Sequence, residues 1–465
     1  MRATLLLIAA VLSGCALKTP PTHTDVVEQA LPKTTHIPPA WRADSRGGQV
    51  TNDWLKSFND PMLEAIVAEA IANNADLRVA AAKVAVAQQT VIIVGSRLKP
   101  WVGVQLGAST TYERDDGNFN STSAFIGAAW ELDVWGRLRA ERAAAEANAE
   151  AVALDYAYAR QSIAATTAKL WYLGVETYQL LALSERAVKI YGDLLDLVQI
   201  RRNAGKDSDL DVVDVRAKLE TAQSDVERVR ESYGEVRRSL EVVLGRYPAA
   251  EIEIAAAYPA LPPLAGSSVP SSLLERRPDL IAVEREVLAA FRRQEAAQLA
   301  LLPEFSLSLT GGRLGDQVLS LLNLNPWLAS AGIGASIPIY EGGALQAKVE
   351  IATAQQAQAV ARYGAVALTA FREVENSLAN ERYMALQFPL DQKSLDDRTT
   401  AVQIATIQYK AGRRDLLWVA QLQAEQLVAE SNFIRLRGAQ QANRVRLYQV
   451  LGGSFDATPP TSSTP

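Results

Sequence analysis

The sequence predicts an α+β membrane protein, a duplicated chain that gives two β-hairpins and long antiparallel coiled-coil helices. Three observations carry this. Apolar and small or polar residues alternate with period two in paired runs, once near residue 100 and again near residue 305. Each pair of runs feeds an Ala-rich tract of helical period that continues for roughly 65 residues. The landmarks around these runs recur in the same order in both halves.

The chain opens with a short positive stretch, Met1-Arg2, and an apolar core from Leu5 to Leu12. That core has signal-peptide length and is too short to span a bilayer as a helix. Leu12-Ser13-Gly14-Cys15 follows, with the small residues and cysteine of a lipobox. Read so, residues 1–14 are a lipoprotein signal peptide and Cys15 becomes an acylated N-terminus, an outer-membrane anchor by two-chain logic, with Ala16 rather than Asp after it. The alternative is an ordinary signal peptide with a chance cysteine. Residues 15–54 read as a lipid-anchored extended linker. Pro20, Pro21, Pro32, Pro38 and Pro39 argue against helix or central strand between Lys18 and Pro39.

The first structural repeat covers 55–247, with a β-hairpin over 101–134 and a long helical hairpin over 136–245. Val102, Val104, Leu106, Ala108, Thr110 and Tyr112 share one side of its first strand. A turn-rich gap over 113–118 separates it from a second run, in which Ala124, Ile126, Ala128, Trp130 and Leu132 alternate with Gly127, Ala129 and Glu131. At Gly136 the period becomes helical. The helix turns at Ala204-Gly205 and returns along Val212, Val215, Leu219, Ala222, Val226, Val229, Tyr233, Val236, Leu240 and Val243, a seam of heptad type.

Residues 248–272, rich in proline, join the halves. The second repeat covers 273–453, with a hairpin over 304–340 and a helical hairpin over 343–452. Arg277-Pro278-Asp279-Leu280 matches Asn74-Ala75-Asp76-Leu77, Gly343 matches Gly136, Ala411-Gly412 matches Ala204-Gly205, and Leu451-Gly452 matches Leu244-Gly245. The loop 311–325 corresponds to the first hairpin turn. Gln426, Gln440 and Asn443 make the second seam more polar, pointing to different packing or a wetter space. Residues 454–465 read as a disordered tail. Beyond residue 15 no unbroken run of about 18 apolar residues occurs, so no transmembrane helix is expected.

Two hairpins give four strands, and four cannot close a barrel in lipid, where an open edge is not viable. The strands must then be pooled: a dimer, trimer or tetramer gives about 8, 12 or 16, and a conducting pore wants at least a trimer. Trp101, Tyr112, Trp130, Trp135 and Trp327 lie near strand ends, where an interfacial girdle belongs. The alternative is a soluble sheet capping a coiled coil.

Composition narrows the function. A net charge of −5 argues against nucleic acid as a partner. The single cysteine excludes an intrachain disulfide, and both histidines, His23 and His36, fall in the linker, so no metal centre is expected. There is no phosphate loop and no Gly-x-Ser-x-Gly. Asp207, Asp209 and Asp211 lack the glycine and closing glutamate of a calcium loop. No cofactor and no enzyme activity are expected.

The chain resembles the outer-membrane factor family, the TolC-like exit ducts, and most of all the lipoprotein branch working with resistance-nodulation-division efflux pumps. The carriers are the lipobox at Cys15, Trp130-Glu131-Leu132-Asp133-Val134-Trp135-Gly136-Arg137-Leu138-Arg139, Pro338-Ile339-Tyr340-Glu341-Gly342-Gly343, Phe371-Arg372-Glu373-Val374-Glu375-Asn376 and the two Ala-Gly turns. The resemblance implies a homotrimer with a twelve-stranded outer-membrane barrel continued by a periplasmic α-barrel. It implies a periplasmic adaptor protein and an inner-membrane pump as partners. Gly205 and Gly412 would mark the periplasmic tip, where Asp211 facing Tyr409 and Arg414 would latch a gate. Gln421 stands where the family commonly has an Asp ring, which unsettles charge selection there, while Leu417, alone or packed with Trp418, would still form an apolar ring. An exit duct for type I protein secretion, or a passive porin or structural protein of the envelope, is the alternative.

Overall fold

A computed structural model describes residues 17–43, 50, 52–113, 117–264, 266, 268–315 and 327–456. The lipobox and Cys15 lie outside the described residues. The chain divides into two compact units, one built from residues 1–35, 82–155 and 279–366, the other from 36–81, 156–278 and 367–465. The boundary cuts across the duplication rather than between its copies.

The first unit holds the sheet. Strands β1 (Trp101–Glu113), β2 (Gly117–Leu132), β3 (Glu304–Gly315) and β4 (Leu328–Ser336) form one antiparallel sheet in the order β1-β2-β3-β4. Residues 311–315, expected in a loop, are the end of β3, because Thr122 to Ile126 continue the ladder opposite them. The register keeps two faces apart. Val102, Ala128, Leu309 and Ala331 lie in one row, and Trp130, Leu307 and Ile333 in the next row of the same face. The row Gly103, Gly127, Thr310 and Ser330 belongs to the opposite face. The apolar face is bare within the chain: Val104, Leu106 and Ile333 are 68%, 73% and 76% exposed.

The strand-to-helix passage is fixed by charge. Asp133 accepts from the backbone N–H groups of Leu138 (3.0 Å) and Arg139 (3.1 Å), capping helix α4 (Arg137–Asn203), for which Gly136 supplies the left-handed turn at φ +89°. Arg137 reaches Glu131 (2.5 Å), Glu141 (2.7 Å) and Glu304 (3.3 Å), tying β2, α4 and β3 together.

The linker contains a helix, against the expectation drawn from its prolines. Helix α1 (His23–Ala30) occupies the proline-free stretch between Pro21 and Pro32, and Thr22 and Asp25 close a capping box at its start. Eight residues suffice once the first turn is capped and Val26 is buried.

Helix α2 (Pro61–Asn73) belongs to the second unit and is capped by Asp60, whose other carboxylate oxygen accepts from Trp171 Nε1 at 2.9 Å. Helix α3 (Ala75–Ser96) is long and apolar enough to cross a membrane by length and composition. It still contains no unbroken apolar run of that length, because Lys83, Gln88, Gln89 and Thr90 interrupt an otherwise Ala- and Val-rich helix.

The two helical hairpins are matched in length. α4 and α5 (Asp209–Val243) have 67 and 35 residues, and so do α7 (Ala344–Lys410) and α8 (Leu416–Val450) in the second copy. Helix α6 (Pro278–Leu299) is the second copy's counterpart of α3. The core of the second unit gathers Trp54, Phe58, Leu63, Trp171, Tyr172 and Leu244. The inter-repeat segment is held by Glu241, which accepts from the N–H groups of Ala250, Glu251 and Ile252 at 2.7, 2.6 and 2.9 Å.

Candidate functional site: the two helical turns

Both long helices end in the same way. Gly205 N–H bonds Arg202 O and Lys206 N–H bonds Arg201 O, each at 2.9 Å; Gly412 and Arg413 do the same to Tyr409 and Gln408, each at 2.9 Å. This double bond set is a Schellman cap, and it places glycine in the left-handed region, at φ +68° and +69°. No atom lies within 4 Å of where a Cβ would sit at either glycine, so conformation and not space demands glycine there.

The return helices start on side-chain caps. Asp415 accepts from Trp418 N–H at 3.0 Å. Ser208 forms a capping box with Asp211, whose carboxylate accepts from Ser208 N–H at 2.8 Å and from its hydroxyl at 2.6 Å. Asp211 is thereby engaged within its own helix.

The carboxylate that meets Tyr409 is Asp207. Tyr409 Oη donates to Asp207 Oδ2 at 2.6 Å, and Arg201 Nε donates to the same carboxylate at 3.0 and 3.2 Å. The Arg201 guanidinium also lies 4.4 Å from the centre of the Tyr409 ring. Burial, followed by the bond to Asp207, raises the Tyr409 hydroxyl above its ordinary value, so it remains a donor at physiological pH. Arg201, held by Asp207, is raised as well. Tyr409 is only 1% exposed, so this lock joins the first turn to the end of α7 out of solvent.

Within the chain, Arg414 lies over the Trp418 ring at 4.5 Å, with Nε toward Gln408 Oε1 at 3.4 Å. Inside one chain Tyr409 is held by Asp207 and Arg201, while Asp211 caps its own helix and Arg414 lies over Trp418. The cap was in the sequence: Ser208-x-x-Asp211 is a capping box, and it occupies one oxygen of the Asp211 carboxylate locally. Arg201, six residues before Asp207, had no such local mark.

Leu417 is 57% exposed, and Leu210, its counterpart in the first copy, 77%. Gln421 Nε2 donates to Glu425 at 3.2 Å, and Asp214, its counterpart, pairs with Lys218 at 2.6 Å. Beneath the turns, Tyr191 and Val198 of α4, Val212 and Val215 of α5, Ala405 of α7 and Val419 of α8 share one apolar cluster. Among the described residues no group of His, Cys, Asp and Glu could hold a metal ion.

A family model described as "Outer membrane efflux protein" matches residues 66–246 and 269–453, one segment in each half of the chain. The pyoverdine export outer membrane protein OpmQ of Pseudomonas putida is 28% identical over 464 residues, covering 97% of each chain. The cation efflux system protein CusC of Escherichia coli is 25% identical over 407 residues, covering 86% of this chain and 88% of its own. Among solved structures, the Campylobacter jejuni CmeC outer membrane channel gives a TM-score of 0.85 at 19% identity, covering 95% of both chains. The open state of the Neisseria gonorrhoeae MtrE outer membrane channel gives 0.83 at 21% identity, covering 96% of this chain and all (100%) of that one. These two likenesses establish the fold, mostly helical with a small sheet, and the family match establishes kinship: the chain belongs to the outer membrane efflux protein family.

Proposed function

We propose that this outer membrane efflux protein is the homotrimeric exit duct of a tripartite pump, passing small molecules outward without chemistry. The observation that carries the reading is the sheet. Among the described residues its β1 and β4 edges are unpaired, and one of its faces is an exposed apolar band. Three copies of the four-stranded sheet supply twelve strands, enough for a barrel with a lumen. The apolar face then meets lipid, and the row of Gly103, Gly127, Thr310 and Ser330 lines the passage.

The partners are a periplasmic adaptor and an inner-membrane resistance-nodulation-division pump, in keeping with relatives named as outer membrane proteins of efflux pumps. Cys15 carries the acyl anchor in the outer membrane. The two turns form the periplasmic tip, closed at rest by the Asp207–Tyr409–Arg201 lock inside each subunit. Arg414, Leu417 and Gln421 are the residues left to meet the neighbouring subunit, Arg414 opposite its Asp211. An exposed polar link of that kind is worth about 0–1 kcal/mol, so an adaptor can break it.

Light scattering of the detergent-purified protein tests the assembly. A trimer is expected, and a monodisperse monomer would overturn the architecture. Mass spectrometry of the N-terminal peptide tests the anchor, which an unmodified Cys15 would remove.

A further inference from the structure

The chain just after Cys15 is clamped with unusual completeness. Lys18 N–H donates to Glu295 Oε1 at 2.6 Å, Lys18 O accepts from Arg292 Nη1 at 2.8 Å, and Lys18 Nζ donates to Gln298. Every polar group of one residue is thus held by a single helix, α6. The Glu295 side chain is 3% exposed and is also paired with Arg292 at 2.7 Å. A carboxylate so buried is costly unless its oxygens are used, and here one takes the backbone and the other the guanidinium. Leu17 reaches the turn at Gly136, where a Cβ would come within 3.3 Å of it.

The duplication shows that these features serve the N-terminal segment and not the repeat. Where α6 has Glu295 and Arg292, α3 has Ile92 and Gln89. Glu284, which meets His23 Nδ1 at 2.7 Å, has Ala81 as its counterpart. Gly364 corresponds to Ala157, and a Cβ at Gly364 would fall 2.3 Å from the carbonyl oxygen of Ala30. Two carboxylates and a missing Cβ distinguish the second copy along the line followed by residues 18–30.

We propose that Glu295 is a positioning residue for the lipid anchor: by clamping Lys18 it fixes where the acylated N-terminus enters the membrane, turning a loose tether into an attachment of set place. This rests on the reading of Cys15 as the acylated residue. Cys15 precedes the clamped Lys18 by three residues of sequence. Leu17 touches Gly136, four residues after β2 ends at Leu132. The acyl chains therefore enter beside the helix-proximal ends of the strands, where the apolar rows Trp130–Leu307–Ile333 and Leu132–Phe305–Ala335 lie.

The test places the lipid directly. Cells are fed a photoreactive diazirine fatty acid, the full-length protein is irradiated in isolated outer membranes, and cross-links from the N-terminal acyl chains are mapped by mass spectrometry. In the parent protein the cross-links concentrate on those two rows. In Glu295→Ala the same rows lose most of their share and the sites scatter. Lys18→Pro, which removes the N–H donor and leaves Glu295 in place, has the same effect and serves should Glu295→Ala fail to assemble. A pattern unchanged in both variants, or one already scattered in the parent, overturns the clamp while the anchor stands. An N-terminal peptide without photoreactive lipid overturns the anchor itself, and the clamp with it.

Discussion

The two helical hairpins have the same lengths and the same turns, yet they are held together differently. Along α5 the seam is apolar, with Val212, Val215, Ala222, Val226 and Leu240 buried. Along α8 the corresponding interior is in part polar, and most of its buried polar atoms are bonded, while Arg444 Nη1, Ser377 Oγ and Gln441 Oε1 have no partner among the described residues. Asn443, where the first copy has Val236, donates to Ser377 O and to Glu381 Oε1, both at 3.0 Å. Arg444 meets Glu381 through two bonds, at 3.2 and 2.8 Å, with both side chains at most 10% exposed. In the first copy Gly174 stands for Glu381, Ile254 fills the space above it, and Arg237, matching Arg444, donates to Ile252 O at 2.8 Å. One backbone plan thus accepts either chemistry, provided that most buried polar groups find partners.

The largest effect should come from breaking the polar hairpin. Glu381→Ala leaves Arg444 buried without its carboxylate and should cost about 3–5 kcal/mol, read as a fall in the denaturation midpoint. In the apolar hairpin, Leu240→Ala opens a cavity at a fully buried site and should cost about 2–5 kcal/mol by the same measurement. In the sheet the copies match in sequence but not in row: Ile333 shares the row of Trp130, four residues along β2 from Ile126. Ile126→Arg, nearer the middle of the exposed apolar face, should cost about 2–4 kcal/mol and Ile333→Arg, nearer the helix-proximal end, less, whereas Gly127→Ser on the other face should be nearly silent. Equal costs for the two arginines would show that the rows do not set the depth.

Glu241 gives a smaller and pH-dependent contrast, since its counterpart in the second copy is Tyr448. Burial pushes its carboxyl up, but the N–H groups of Ile252, Ala250 and Glu251 outweigh this and leave it below its ordinary value. A depressed carboxyl stabilises the fold above the ordinary glutamate range and stops doing so as pH falls through its lowered value. Glu241→Gln should therefore melt below the parent at pH 7, and the gap should narrow in acid. The smallest effect is at the caps, where Ser208→Ala and Asp415→Ala should each cost about 1 kcal/mol in thermal denaturation.

The strands and long helices were legible because period two and period 3.6 are written in adjacent residues, and because the duplication lets each copy check the other. The run beginning at Val102 and the Ala-Gly turns needed no tertiary information. What sequence missed was set by local competition or by distant partners. Helix α1 was hidden by prolines that flank it without entering it. The end of β3 depended on its partner, β2. At the turns, Asp207, Asp209 and Asp211 look alike in sequence, and only the capping of Ser208 and the approach of Arg201 decide that Asp207 receives Tyr409.

If that lock closes the proposed duct at its tip, single-channel conductance in planar bilayers will separate the parent from Asp207→Ala. The parent should pass little current, and the variant, with Tyr409 and Arg201 released, should conduct in larger and more frequent openings. A parent protein already open like a porin, or a variant that conducts no more than the parent, would show that the lock does not close the tip.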